Sequence, residues 1–290
     1  MANNPLALVL ALLATLGLGA GFVLTQFALR FMPPRLGVAL SIPTSTLFFW
    51  CLAPFLIDPT EFDMKAAGLF AGVGLLFPGA VALANFESNR LVGPNVAGAM
   101  GGLAPVFAIL LALLLLGEQL SILQLVAIAA IVAGVVLMYR GQWYVLRAGG
   151  FWLLTLPLSA SIVRGFVQPL VKLGLERWHN PIAAAVIGYT VSSTVLILSA
   201  VVPRQSREQR VDPHGVLWFA AVGLCNGAAV LSMYAALGRG PVGLVSPLIA
   251  TYPLVTVLLS TAVLKRERVD ASLIAAVTAT VGGVVLLLIT

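Results

Sequence analysis

Ten apolar stretches, each long enough to cross a lipid bilayer as a helix, make up most of this 290-residue chain. A membrane-spanning helix needs about 20 mostly apolar residues. The stretches, numbered here as spans 1 to 10, are 5–29, 36–57, 66–91, 95–116, 122–139, 151–174, 182–202, 215–237, 242–264 and 271–289. The longest connection, 203–214, leaves no room for a soluble domain. The sequence therefore predicts an all-α membrane protein with ten transmembrane helices.

The composition agrees with this prediction and excludes several kinds of partner. The chain is 60% hydrophobic and only 9% charged, whereas soluble domains are about one quarter charged. The net charge of +6 does not indicate nucleic-acid binding, because the basic residues stand singly or in small groups between spans. Cys51 and Cys225 both fall inside spans, which does not favour a disulfide or a metal site. We expect a lipid bilayer around the chain, no metal and no cofactor.

One phrase of the sequence occurs twice, at residues 91–121 and 238–271. In both copies a Gly-Pro pair opens an apolar run, a second proline follows, and a Glu lies in the polar segment that closes it. The residues Pro94, Pro105 and Glu118 correspond to Pro241, Pro253 and Glu267. A similar tail, AGVVL or GGVVL, ends the next span in each case. The chain is therefore interpreted as two five-span repeats, residues 1–140 and 141–290.

The odd number of spans in each repeat has a topological consequence. Consecutive copies of a five-span unit must cross the membrane in opposite senses, which predicts an inverted repeat. Inverted repeats are typical of secondary transporters, in which the substrate binds near the bilayer midplane where the repeats meet. A duplication kept only for packing is the alternative.

The order of these motifs resembles the EamA-type branch of the drug/metabolite transporter superfamily. The resemblance rests on the Gly-Pro starts, the PVF and PLV triplets, the GEQ and RER turns and the GVVL tails, and it covers essentially the whole chain. Among members, the chain looks most like bacterial amino acid exporters, the aromatic amino acid exporters in particular. The resemblance implies a multi-pass carrier of the bacterial inner membrane that works by alternating access through a central cavity.

Arg164 is the most unusual residue inside a span, because an ionisable group within the bilayer is costly and needs a partner or a wet cavity. Ser161 and Gln168 lie three residues before and four residues after it, on the same helical face. The face could meet a substrate carboxylate, or Arg164 could instead extend its side chain to the membrane surface.

Further polar and aromatic residues within the spans are candidate substrate contacts. They are Asn85, Phe86, Asn226, Tyr234, Tyr252, Thr44 and Gln26. Glu87 could couple transport to protons, although it lies near the end of span 3 and could simply be interfacial. Small multidrug transporters, relatives of this superfamily, use a Glu in their first helix, but span 1 contains no acid. Facilitated exchange therefore stays open beside coupling through Glu87.

Pro105 and Pro253 lie near the middle of spans 4 and 9. A proline inside a helix removes a backbone hydrogen bond and frees a carbonyl, which protein or cavity water must then satisfy. These prolines are candidate hinges, with a static packing kink as the alternative.

The basic residues of the loops predict an orientation. Loops numbered by the preceding span carry eleven Lys and Arg when odd and four when even. The odd set is Arg30, Arg35, Arg90, Arg140, Arg147, Arg204, Arg207, Arg210, Lys265, Arg266 and Arg268. Because positive loops stay in the cytoplasm, both termini are expected outside, whereas the family resemblance implies cytoplasmic termini.

Three function classes are compared on these grounds. The favoured one is a monomeric exporter of amino acids or similar amphipathic metabolites, with a carrier of drugs or other metabolites as the alternative. A membrane-embedded hydrolase would need a nucleophile and base or a metal cluster within the bilayer, but His179 and His214 both fall in loops. A channel ordinarily gathers like groups from several subunits, whereas this chain carries its symmetry internally.

Overall fold

The computed structural model describes residues 4–91, 100–138, 151–201, 212–264 and 271–289, and over these residues it contains helices and no strands. The spans, in order, are Pro5–Ala28, Pro34–Leu56, Met64–Leu76 with Gly79–Leu91, Ala104–Leu115, Ile122–Met138, Thr155–Leu175, Pro181–Val201, Pro213–Leu237, Val242–Ile249 with Tyr252–Leu264, and Ala271–Ile289. Short 3-10 turns at Pro59–Glu61 and Phe151–Leu154 precede spans 3 and 6. The predicted all-α fold of ten spans is confirmed.

The described helices have the length and the surface of membrane spans. Seven are long and apolar enough to cross a bilayer, and three shorter apolar helices complete the ten. Large apolar side chains point outward, among them Leu114 at 81%, Ile122 at 80% and Trp152 at 85% exposed. Such side chains are stable against lipid tails but not against water. The protein is therefore a multi-pass membrane protein.

Several spans begin where the local sequence supplies the missing hydrogen-bond acceptors. Asn4 accepts from the Leu6 amide at 3.0 Å, Asp63 from Ala66 at 2.7 Å and Asp212 from His214 at 2.8 Å. In spans 1 and 8 a proline follows at once, where its missing N–H costs nothing. These polar caps fall at the ends of apolar runs and fix where the helices begin.

Span 3 is not the single helix that its hydropathy predicts. It ends at Leu76, where Phe77 adopts an extended conformation, and it resumes at Gly79 after Pro78. The helical hydrogen bonds cannot continue through this point, because Pro78 lacks an N–H and the residue before it is extended. The Gly79 amide is instead satisfied by the Ser192 hydroxyl of span 7, at 2.9 Å.

Spans 4 and 9 are also interrupted, at corresponding places in the two repeats. A turn precedes Ala104 in span 4, and Ala250 and Thr251 separate the two helices of span 9. Pro105 and Pro253 are thus the second residues of new helices, where proline is well tolerated, and not the mid-helix kinks that the sequence suggested. The prediction of continuous spans is wrong here, because hydropathy does not register a break between two apolar helices.

Other side chains satisfy carbonyls that these breaks leave free. The Leu248 carbonyl accepts from the hydroxyls of Thr15 at 3.1 Å and Thr251 at 2.6 Å. The Met100 carbonyl accepts from the Ser161 hydroxyl at 2.7 Å. Irregular backbone at membrane depth needs such partners, because no lipid group can replace them. Each break is therefore tied to a helix of the other repeat.

The set of spans that contact each other is the same when the two repeats are exchanged. The most extensive contacts join spans 1 with 8, 5 with 10, 2 with 8, 2 with 7, 3 with 7, 4 with 6, 1 with 9, 3 with 6, and 4 with 9. Adding five to each span of the first repeat, and subtracting five in the second, reproduces the same set. This is the pattern that a pseudo-twofold axis between inverted repeats produces. Almost all of the large contacts cross from one repeat to the other.

Span 6 approaches span 4 very closely beside the break. A Cβ on Gly165 would lie 2.6 Å from both the Ala104 carbonyl oxygen and the Phe107 Cβ. Only glycine leaves enough room for the two backbones at this distance. The approach places the neighbouring Arg164 at the start of the Ala104–Leu115 helix.

Candidate functional site

Two adjoining pockets open between the repeats. The first is lined by residues of spans 1, 2, 3, 6, 7 and 8. The second lies between spans 1, 3, 4, 6, 8 and 9. Leu18, Phe77, Arg164 and Val230 line both, so the pockets form one cavity with two lobes.

Arg164 stands where the two lobes meet. Its Nη1 lies 3.5 Å from the Tyr252 hydroxyl, and its Cζ lies 5.9 Å from the centroid of that ring. Both contacts are long, and no carboxylate lies within ion-pair distance of Arg164 in the described part of the chain. A partly buried guanidinium with such weak partners is a strong attractor for an anionic group that enters the cavity.

Four aromatic side chains also line the cavity. Phe22 of span 1 stacks on Tyr252 of span 9 with centroids 5.0 Å apart and planes at 16°. Phe77, at the break in span 3, lines both lobes, and Tyr189 of span 7 lines the first. Such a lining suits the apolar part of an amphipathic ligand.

The polar face predicted around Arg164 divides into two parts. Gln168 lines the second lobe beside Arg164. Ser161 is 2% exposed, and its hydroxyl donates to the carbonyls of Met100 at 2.7 Å and Pro157 at 2.9 Å. Ser161 therefore ties span 6 to the break in span 4 and is not among the lining residues of either lobe.

Only some of the other predicted residues line the cavity. Asn85 and Asn226 line the first lobe, while Tyr252 and Pro105 line the second. The residues not found in either lining are Thr44, Gln26, Tyr234, Glu87 and Pro253. The Thr44 hydroxyl donates to the Leu40 carbonyl of its own helix at 2.8 Å. The side chain of Phe86 lies outside the described part of the structure.

A compact polar cluster lies at the even-loop face, which is the membrane face that carries loops 2, 4, 6 and 8. The Lys172 ammonium lies 3.1 Å from Glu118 Oε1 and donates to the Gly240 carbonyl at 2.8 Å. Glu118 also accepts from the backbone amides of Val242 at 2.7 Å and Gly243 at 2.9 Å. The carboxylate thus caps the first helix of span 9 and joins loops of both repeats.

Lys172 continues the polar face of span 6, since Arg164, Gln168 and Lys172 follow one another at intervals of four residues. Side chains at this spacing lie one turn apart on the same face. The face therefore runs from the cavity to the cluster at the even-loop face. We refer to the contacts of Lys172, Glu118, Gly240, Val242 and Gly243 as the even-loop clamp.

Sequence reasoning missed Ser246, Tyr189 and the even-loop clamp. Ser246 precedes Pro247 in a run of apolar residues. The sequence around a single serine in such a run does not indicate which way its side chain points. Glu118 was noted only because it recurs as Glu267 in the second repeat. Its pairing with Lys172 depends on a contact across 54 residues, which periodicity does not reveal.

Comparison with known proteins provides independent information. The model of the EamA-like transporter family matches residues 5–140 and again residues 150–289. A solved crystal structure of another protein is similar over 98% of this chain and 96% of its own, with a TM-score of 0.77 and 19% sequence identity. At that identity the similarity concerns the fold alone. The comparison with curated proteins finds no match.

Proposed function

The chain belongs to the EamA-like transporter family, and from this premise we propose that it exports amino acids or similar small amphipathic metabolites across the bacterial inner membrane. The supporting observation is the position of Arg164 at the junction of two lobes that both repeats line. A substrate carboxylate would bind the guanidinium, and its apolar part would rest against Phe22, Phe77 and Tyr252.

The symmetry of the packing supports alternating access as the mechanism. Two repeats of opposite orientation that contact each other almost everywhere have two equivalent ways to tilt, each of which opens the cavity to one face. In the described structure the even-loop clamp joins the repeats at one face. We therefore take this conformation to be closed at the even-loop face, and release of the clamp to be part of the change to the other state.

A carrier of cationic drugs is the competing candidate. It is disfavoured because Arg164 is the only charged residue among the lining residues described for the two lobes, and a guanidinium repels a cationic ligand. A hydrolase would need a nucleophile with a base or a metal centre. No group of three or more potential metal ligands occurs within the described ranges.

The test is counterflow in proteoliposomes of the purified protein. Vesicles loaded with an unlabelled amino acid mixture should accelerate the uptake of labelled phenylalanine, and the flux should saturate. Arg164→Ala should lower the flux at least about tenfold, because one charge-assisted hydrogen bond contributes about 1.5–3 kcal/mol. The control is Arg35→Ala, which removes an exposed arginine in the first turn of span 2.

Two results would argue against the proposal. A flux that does not saturate and is insensitive to the internal amino acids would indicate a channel. Normal flux by Arg164→Ala at unchanged membrane levels would remove Arg164 from the site. A flux that responds to a pH gradient would instead direct attention to Glu87.

A further inference from the structure

The second lobe contains two buried oxygen atoms that lack a hydrogen-bond partner. Gln168 Oε1 and Ser246 Oγ have no partner in the described part of the chain, and their residues are only 3% and 1% exposed. Both residues line the second lobe. Buried polar groups are nearly always paired, so unpaired ones at the wall of a cavity point to a ligand that supplies the partner.

Other buried hydroxyls in these helices behave differently. Most of them donate to a backbone carbonyl of their own or a neighbouring helix, as Thr15, Thr25, Ser45, Thr46, Ser161 and Thr251 do. This is the ordinary arrangement for serine and threonine inside helices. Ser246 departs from this arrangement because its hydroxyl has no hydrogen-bond partner in the described part of the chain. The larger amide group of Gln168 likewise has an oxygen without a partner there.

The chemistry of these groups defines what is missing. An amide oxygen accepts hydrogen bonds and cannot donate them, so the partner of Gln168 Oε1 must carry N–H or O–H. Ser246 of span 9, in the same repeat, adds a second possible acceptor.

The position of Gln168 relative to Arg164 narrows the ligand further. The two side chains lie one helical turn apart on the same face of span 6, with Cβ atoms about 5–6 Å apart. A ligand whose carboxylate binds Arg164 therefore has a neighbouring donor group within reach of Gln168. Adjacent carboxylate and ammonium groups are the defining feature of an α-amino acid.

We propose that the second lobe is an ammonium subsite, in which Gln168 and Ser246 accept hydrogen bonds from the amino group of a zwitterionic substrate. This inference rests on the proposed function and restricts it, because a simple carboxylate would leave both oxygens unpaired. A permanent cation without a carboxylate would be repelled by the Arg164 guanidinium, with no negative group of its own to offset that repulsion. The subsite thus selects for zwitterions over either ion alone.

The experiment compares two competitors of labelled phenylalanine counterflow. Unlabelled phenylalanine carries both charged groups, and 3-phenylpropanoate lacks the ammonium group but keeps the ring and the carboxylate. The variants are Gln168→Leu and Ser246→Ala. The control is Ser159→Ala in the same helix, whose exposed hydroxyl donates to the Leu156 carbonyl at 2.8 Å.

The wild-type protein and the control should prefer phenylalanine over 3-phenylpropanoate by roughly ten- to hundredfold, the value of a hydrogen bond to a charged group. Gln168→Leu should bring this ratio close to one by weakening phenylalanine while leaving 3-phenylpropanoate unchanged. Ser246→Ala should reduce the ratio by a smaller factor. The ratio separates recognition of the amino group from a general loss of folding, which would weaken both competitors alike.

Two outcomes overturn the subsite while the proposed function stands. These are equal competition by both compounds in the wild type, and an unchanged ratio in Gln168→Leu. Absence of counterflow with any small carboxylate overturns the proposed function and the subsite together. The first two outcomes require measurable counterflow, and the third is its absence. The failure of the subsite can therefore be distinguished from the failure of the proposed function.

Discussion

Removal of the Lys172 ammonium should open the cavity toward the even-loop face. Lys172→Met keeps a long apolar stem but loses the contacts with Glu118 and with the Gly240 carbonyl. The contact with Glu118 joins the two repeats, so a tilt that opens this face must break it. The variant therefore weakens the closed conformation more than the open one.

The size of the effect follows from the burial of the pair. The side chains of Lys172 and Glu118 are 15% and 12% exposed, between a surface pair and a fully buried one. Loss of one partner costs about 0–1 kcal/mol at the surface and about 3–5 kcal/mol in the interior. Glu118 keeps the amides of Val242 and Gly243, which limits the loss to about 1–3 kcal/mol. At about 1.4 kcal/mol per factor of ten, the ratio of open to closed states should rise roughly 5- to 150-fold.

Cysteine labelling measures this ratio directly. Val230 lines both lobes and is 4% exposed, so Val230→Cys in a background without Cys51 and Cys225 reports access to the cavity. A membrane-impermeant maleimide should label this cysteine faster from the even-loop face in Lys172→Met than in the parent. The control is Arg239→Met, which removes an exposed cation that donates to the Ala235 carbonyl at the same face.

Unchanged labelling rates from both faces in Lys172→Met would refute the role of the clamp. Lower thermal stability with unchanged labelling would show that the pair only supports the fold. Equal acceleration by Arg239→Met would attribute the effect to the loss of any positive charge at this face.

Two further predictions concern packing, and both are measured by thermal unfolding in detergent. Gly165→Ala should lower the free energy of unfolding by about 1–2 kcal/mol because its Cβ has no room, whereas Gly68→Ala, with nothing within 4 Å, should be neutral or stabilising by up to about 1 kcal/mol. The same sign for both would contradict the close approach of spans 4 and 6. Thr46→Val removes the 2.7 Å hydrogen bond to Ser193 between spans 2 and 7 and should cost about 0.5–1.5 kcal/mol. Thr194→Val, whose hydroxyl bonds its own helix at 2.8 Å, should cost less, and equal losses would argue against the contact.

The architecture was predictable because it depends on long patterns. Ten apolar runs and a phrase that recurs with Pro105 and Pro253 define the spans and the inverted repeat without any knowledge of contacts. The breaks at Phe77 and at Ala250 were not predictable from hydropathy, since a break between apolar helices leaves the average unchanged.

The site was predictable only where the chemistry is unusual. Arg164 is conspicuous in an apolar span, and it does line the cavity. Thr44 and Ser246 look alike in the sequence, yet the first bonds its own helix and the second faces the second lobe. Lipid-facing and inward-facing positions are both apolar in a membrane protein, so periodicity does not separate them.

The contact pattern between the repeats also bears on how this chain assembles. Nearly every large helix contact joins one repeat to the other, so the first five spans leave the ribosome before most of their partners exist. They must reside in the bilayer as individually stable helices and acquire their neighbours only when the second repeat inserts. Assembly therefore resembles the association of two subunits more than the sequential folding of one domain. The two halves need not find each other by diffusion, because a short segment of the same chain connects them.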